Sequence, residues 1–143
     1  MENPQSLATE ILQLKNLKAI SESACTAFCV LWWLDIDCSD VDAIKIIDDA
    51  IINGAIEKDC TVTWVKFIKW LTGRNCDVIF TDISTIKRIK EKSIVKFTYN
   101  DNSHWVGVEN GKVVFDPLGL GHSVCVAKGK PVTMRTIKIL KEV

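Results

Sequence analysis

Three side chains in this sequence could together break an amide bond: Cys25, His104 and Asp116. Cys25 stands at the start of an apolar stretch, ACTAFCVLWWL over 24–34, that reads as a buried helix. With Ser23 as its N-cap, Ala24 is the first helical residue and Cys25 the second. A thiol in that first turn meets the positive end of the helix dipole and free N–H groups. Both lower its pKa and favour the reactive thiolate. Cys29 lies one turn further in, on the face of Cys25, Phe28 and Trp32, and reads as an inert packed thiol. Position alone leaves Cys25 open to the same packed reading, because free cysteines are among the most buried residues.

His104 and Asp116 sit on a hairpin, HWVGV–ENG–KVVFD. A three-residue loop Glu109-Asn110-Gly111, with Gly last, fits a type I turn followed by a G1 bulge. In that register Val108 faces Lys112, Val106 faces Val114 and His104 faces Asp116. Directly opposite residues share a sheet face, so the imidazole and carboxylate come within hydrogen-bond reach. The carboxylate on Nδ1–H would fix the tautomer and leave Nε2 to take the thiol proton. A two-residue Asn110-Gly111 turn instead pairs Trp105 with Asp116 and turns His104 to the other face. An exposed His beside an Asp that merely starts the Asp116-Pro117 turn is the bland alternative.

Other signals carry less. His122, in the Gly-rich run LGLGHS, reads as a surface histidine, or as a substitute base on a flap over a cleft. Cys25, Cys29, Cys60 and His104 can be drawn as a zinc set, but Cys-x-x-x-Cys inside an apolar helix is a poor ligand pair. No metal or other cofactor is expected. The cluster KRIKEK, Lys87–Lys92, reads as a solvated helix face, with a docking surface for an anionic partner as the alternative.

The elements that must position these residues change period halfway along. The spacing predicts helices over 6–18 (Leu7, Ile11, Leu14 and Leu17 on one face), 24–34, from Ser39 to Asn53-Gly54, and over 63–72. Ser39 and Asp42 form a capping-box variant. Then follow a short strand Cys76–Phe80, a basic amphipathic helix over 82–91, and strands at Ser93–Tyr99, His104–Val108, Lys112–Asp116, Ser123–Ala127 and Pro131–Leu140. Helices first and a mostly antiparallel sheet after make an α+β layout. At 143 residues the chain reads as a single domain, 1–143.

Composition narrows the function. Lys+Arg and Asp+Glu are both 18, which argues against an obligate nucleic-acid binder. No apolar run is long enough for a membrane span, so no stable membrane insertion is expected. The N-terminal stretch lacks a basic start followed by an apolar run, so no signal peptide and a cytoplasmic location are expected. Six cysteines without an export signal read as reduced thiols. Four of the five Trp lie in helical-looking stretches and read as core.

SESACTAFCVLWWL followed much later by SHWVGVENGKVVFDPLG resembles the papain-like cysteine peptidase superfamily. The likeness is to its small bacterial branch, which includes bacteriocin leader-processing peptidases and prophage-encoded papain-like proteins. The resemblance implies a papain-like fold, with the nucleophile helix packed on the sheet. It implies Cys25 as nucleophile, His104 as general base and then acid, and Asp116 as orienter. Papain-like enzymes usually carry an oxyanion-hole Gln about six residues before the Cys. Here that position is Ala19, or Ser23 counted from Cys29, and Gln13 is too far to assign; Ser21 and Ser23 are the substitutes at hand. By analogy the expected activity is that of a cysteine peptidase or amidase, monomeric, acting on bacterial peptidoglycan as an endolysin does. It would reach the wall through a holin or on lysis. A cytosolic leader-peptide or protein-processing peptidase is the alternative, and a non-catalytic binding module on a peptidase-like fold is another.

Overall fold

The computed structural model describes residues 1–10 and 16–141, leaving out the side chains of residues 8–10, 17 and 18. Gln13, Ile11 and Leu14 therefore lie outside the described residues, as does the side chain of Leu17. Among the described residues the chain forms six helices and five strands: α1 (Pro4–Glu10), α2 (Leu17–Ser23), α3 (Cys25–Trp33), α4 (Asp40–Ile52), α5 (Trp64–Thr72), β1 (Cys76–Asp82), β2 (Ser93–Tyr99), β3 (Asn102–Glu109), β4 (Lys112–Phe115), α6 (Val124–Lys128) and β5 (Lys130–Ile139). The strands make one sheet in the order β1-β5-β2-β3-β4, antiparallel throughout. This is the mixed α+β layout that the change of period implies. No helix among the described residues is long and apolar enough to cross a membrane.

The helical half is built around α3. Ala27, Phe28, Cys29, Val30 and Leu31 are wholly buried, as a helix apolar on every side must be. α4 starts where expected: the Ser39 hydroxyl accepts from the Asp42 N–H at 3.2 Å. α5 buries Phe67 and Ile68 and stops at Gly73, whose φ of +73° suits a residue without a Cβ. α3 lies on the sheet at Gly107, where a Cβ would come 2.6 Å from the Trp32 ring. On the other face a second cluster gathers Val95, Phe97, Val106, Val108, Ile89 and Cys125.

Three expectations are corrected here. Residues 83–92 form no helix. Ile83, Ile86 and Ile89 have helical spacing, but they fold onto the second cluster as a loop. The hairpin tip holds that loop: Asn110 N–H donates to the Lys90 carbonyl and Gly111 N–H to that of Ile89. Residues 124–128 are the short helix α6, not a strand, and Cys125 is their one buried side chain. Gly129 ends it under β2, with room for no Cβ: the nearest atom, the Thr98 carbonyl oxygen, would be 2.2 Å away.

The third correction concerns the hairpin register. Glu109 pairs with Lys112 across a two-residue turn, with φ of +53° at Asn110 and +74° at Gly111. Both positive values are what a type I′ turn demands. An irregularity between Gly107 and Val108 then shifts the pairing, so that Gly107 faces Phe115. One extra residue flips the face of everything beyond it. Continued past β4, that register sets Asp116 diagonal to His104 on a common face. The expected meeting of His104 and Asp116 occurs, but by a turn and a bulge together.

Candidate active site

Cys25 is the first residue of α3, and its N-cap is Ala24, not Ser23. Ser23 is instead the last residue of α2. α2 runs almost directly into α3, with the fully buried Ala24 serving as C-cap of one and N-cap of the other. Of the first-turn amides of α3, that of Thr26 reaches the sulfur.

His104 enters from β3. β4 pairs only with Gly107, Val108 and Glu109, so the β3 edge at His104 and Trp105 is left uncovered. The start of α3 occupies that gap. The Trp105 main-chain N–H, with no β4 partner, turns to the Cys25 sulfur, as does that of Thr26. His104 also hydrogen-bonds Cys25. Its Nε2 lies 2.7 Å from Asp116 Oδ1, which leaves Nδ1 as the ring nitrogen for sulfur. The two nitrogens are thus exchanged relative to the expectation of Asp on Nδ1. Asp116 is 2% exposed and His104 5%. Asp116 Oδ1 also accepts from the Leu118 N–H at 2.9 Å. α1 clamps this turn, with Gln5 N–H donating to the Pro117 carbonyl and the Ser6 hydroxyl to that of Leu118.

The electrostatics follow from this packing. Burial is the largest influence on Cys25 and by itself would raise its pKa. The hydrogen bond and charge of His104, with the Trp105 and Thr26 amides, outweigh it and hold the thiol below its ordinary value. Burial likewise opposes charge on His104, but the bonds to Asp116 and Cys25 push its pKa up to about 9. The pair therefore favours thiolate beside imidazolium. Cys29 is the opposite case: full burial, and then the charges of Cys25 and Asp116, raise it well above the ordinary thiol. It is a thiol packed in the core, as the sequence position implies.

Beside Cys25 lies a groove of about 450 Å³ walled by Glu22, Asp59, Cys60, Trp64 and Trp105, with Ser23 and Thr26. Of the two serines considered as oxyanion donors, Ser23 lines this groove, while the Ser21 carbonyl accepts from Gln5 Nε2 at 3.1 Å. Cys60 has a φ of +67°, unusual for a side chain with a Cβ, and burial, with Asp59 and Cys25 nearby, pushes its thiol up to about 11. Asp59 accepts from the Thr61 N–H at 2.9 Å, and that bond, with the Thr61 hydroxyl, holds its carboxyl below the usual range. The wall residues Glu22, Asp59 and Trp64 do not follow from the sequence pattern, and Cys60 was grouped with Cys25 and His104 only as a poor zinc set. Trp105 had a signal, as the neighbour of His104.

The remaining candidates lie elsewhere. His122 is exposed, its ring against Gly119. Among the described residues no three His, Cys, Asp or Glu side chains are grouped so as to hold a metal ion. Lys87, Arg88 and Lys90 are exposed on the 83–92 loop, whereas Lys92 turns inward to the end of α3. A larger hollow of about 520 Å³ between that loop and β5 contains none of the three central residues. Compared with models of known families, with curated proteins and with solved structures, the chain matches none.

Proposed function

We propose that this protein is a cysteine peptidase or amidase of papain-like type, with Cys25 as nucleophile, His104 as proton carrier and Asp116 as orienter. The observation that carries this reading is a single imidazole bridging a thiol at a helix start and a buried carboxylate. Such an arrangement is the nucleophile–base–orienter logic of acyl transfer.

The Cys25 thiolate attacks the amide carbonyl carbon, and the carbonyl π electrons move to oxygen. In this reading the main-chain N–H of Cys25 donates to the developing oxyanion, where such donors are most effective. As the C–N bond breaks, the His104 imidazolium gives its proton to the leaving amine. Neutral His104 then takes a proton from water, whose oxygen attacks the thioester. Cleavage of the C–S bond releases the acid and restores the thiolate–imidazolium pair. Asp116 stays ionised and holds the ring.

The bond most worth assaying first is one in a bacterial cell-wall peptide, the substrate that the sequence resemblance implies. Purified walls should lose turbidity with the wild-type chain and not with Cys25→Ala. A limiting amount of iodoacetamide should label Cys25 before the other thiols, and His104→Ala should abolish that preference. Equal labelling of several cysteines in both chains would overturn the hydrolase reading and favour a binding module. Selective labelling without wall clearing would move the substrate to a cytosolic peptide.

A further inference from the structure

The chain as a whole is neutral, yet the groove beside Cys25 is not. Glu22 and Asp59 are the charged side chains in its walls, and no Lys or Arg is among the described residues that line it. Local structure accounts for only part of this charge. Glu22 lies in the last turn of α2, where the helix dipole disfavours a carboxylate. Asp59 does shape its loop by accepting from the Thr61 N–H, but an asparagine would accept the same bond.

Trp64 and Trp105 add aromatic wall, meeting edge to face with ring centres 5.7 Å apart. Arg135 lies over Phe80 at 3.8 Å and over Trp105 at 5.0 Å, outside the groove lining. Carboxylates set in a groove without a neutralising Lys or Arg in its lining concentrate cations there.

We propose that the groove selects peptides bearing a positive charge close to the scissile amide, with Glu22 and Asp59 as specificity-determining residues. The substrate class is then a peptide with a lysine, arginine or free diamino-acid amine beside the cleaved bond. This rests on the hydrolase reading for its chemistry, but the charge preference is testable without any hydrolysis.

Two methanethiosulfonates of similar size serve as probes, one carrying a trimethylammonium group and the other a sulfonate. In each case the Cys25 thiolate attacks the reagent's sulfenyl sulfur, a disulfide forms and methanesulfinate leaves. The ratio of cationic to anionic rates at Cys25, followed by peptide mass spectrometry, cancels the intrinsic reactivity of the thiolate. At low salt that ratio should exceed the ratio for free 2-mercaptoethanol about ten-fold or more. It should fall towards the free-thiol value in Glu22→Gln/Asp59→Asn, and also at 1 M salt, where the screening length is about 3 Å. Both positions are exposed, and Asp59→Asn keeps an acceptor for the Thr61 N–H, so the fold should survive the double change. A wild-type ratio equal to that of the free thiol, or one unchanged by the double variant, overturns the proposal. A cation preference with no peptide cleavage would sink the hydrolase reading and leave the groove's preference for cations standing without a scissile bond.

Discussion

Half-buried between α3 and the sheet, the Cys25 thiol would ordinarily hold its proton. Burial favours the neutral form, and it is the largest single influence on this group. What reverses the outcome is His104, and what keeps His104 charged is Asp116. The sign of a mutation's effect follows. In the wild-type chain the rate of Cys25 alkylation should rise with pH and level off with a midpoint below that of an ordinary thiol. His104→Gln removes both the bond and the charge while leaving the burial, so the midpoint should move above the ordinary value. The proposed amide hydrolysis has an upper limb as well. The leaving amine needs the imidazolium proton, so activity should decline as pH passes about 9, where His104 loses it. Rate–pH profiles of alkylation and hydrolysis check both limbs. An alkylation midpoint that does not move in His104→Gln would mean that the imidazole does not govern the sulfur.

Between these residues stand the elements, and one contact sets their spacing. Gly107 lets α3 lie flat on β3, because the Trp32 ring occupies the space a side chain would need. That ring cannot easily retreat: it stacks on Phe115 at 5.9 Å and carries the Lys92 ammonium 4.5 Å from its centre. Gly107→Ala should therefore cost about 1–3 kcal/mol by overpacking. A clash displaces α3 as one body, whereas losing a bond at its end leaves it in place, so this change should also shift the start of α3 against the β3 edge and slow Cys25 alkylation. Urea titration and alkylation kinetics give the two readouts, and an unchanged rate with lowered stability would separate the packing from the site. This scale also shows what could be read from the sequence. Cys25, His104 and Asp116 were legible because few residue types do this chemistry and each stands at the end of a patterned element. The register was not, because Asn110-Gly111 satisfies a two-residue turn while Gly107 absorbs the bulge, and only their sum sets the face. The Ile83, Ile86 and Ile89 spacing suggested a helix because a loop pinned by the hairpin tip can present the same period. Glu22, Asp59 and Trp64 come to the groove from separate elements, which no local pattern announces.

At the scale of the whole molecule, the helical half must stay docked on the sheet to keep Cys25 beside His104, and Lys92 ties the two together at the end of α3 remote from Cys25. Its ammonium donates to the Trp32 carbonyl at 2.7 Å and contacts Asp35 at 2.6 Å. The Lys92 carbonyl in turn accepts from the Trp33 indole N–H at 2.9 Å. The two ammonium contacts differ in worth. Asp35 is 86% exposed, so its ion pair is screened by water and adds little, within about 1 kcal/mol. Lys92 is only 23% exposed, and its bond to a helix-end carbonyl is a charge-assisted one that water cannot fully replace. Lys92→Met should thus cost about 2 kcal/mol, whereas Asp35→Asn, which keeps a residue suited to the left-handed backbone there, should cost well under half of that. The Cys25 alkylation midpoint should be the same in both variants and in the wild type. α3 has 9 residues, so its ends stand about 12 Å apart, and the groups that set the Cys25 pKa all lie at the other end. Denaturant midpoints rank the two contacts, and the pH profile of alkylation tests whether the tie acts on stability alone. Equal losses in the two variants would mean that the exposed carboxylate, not the carbonyl, holds the halves together.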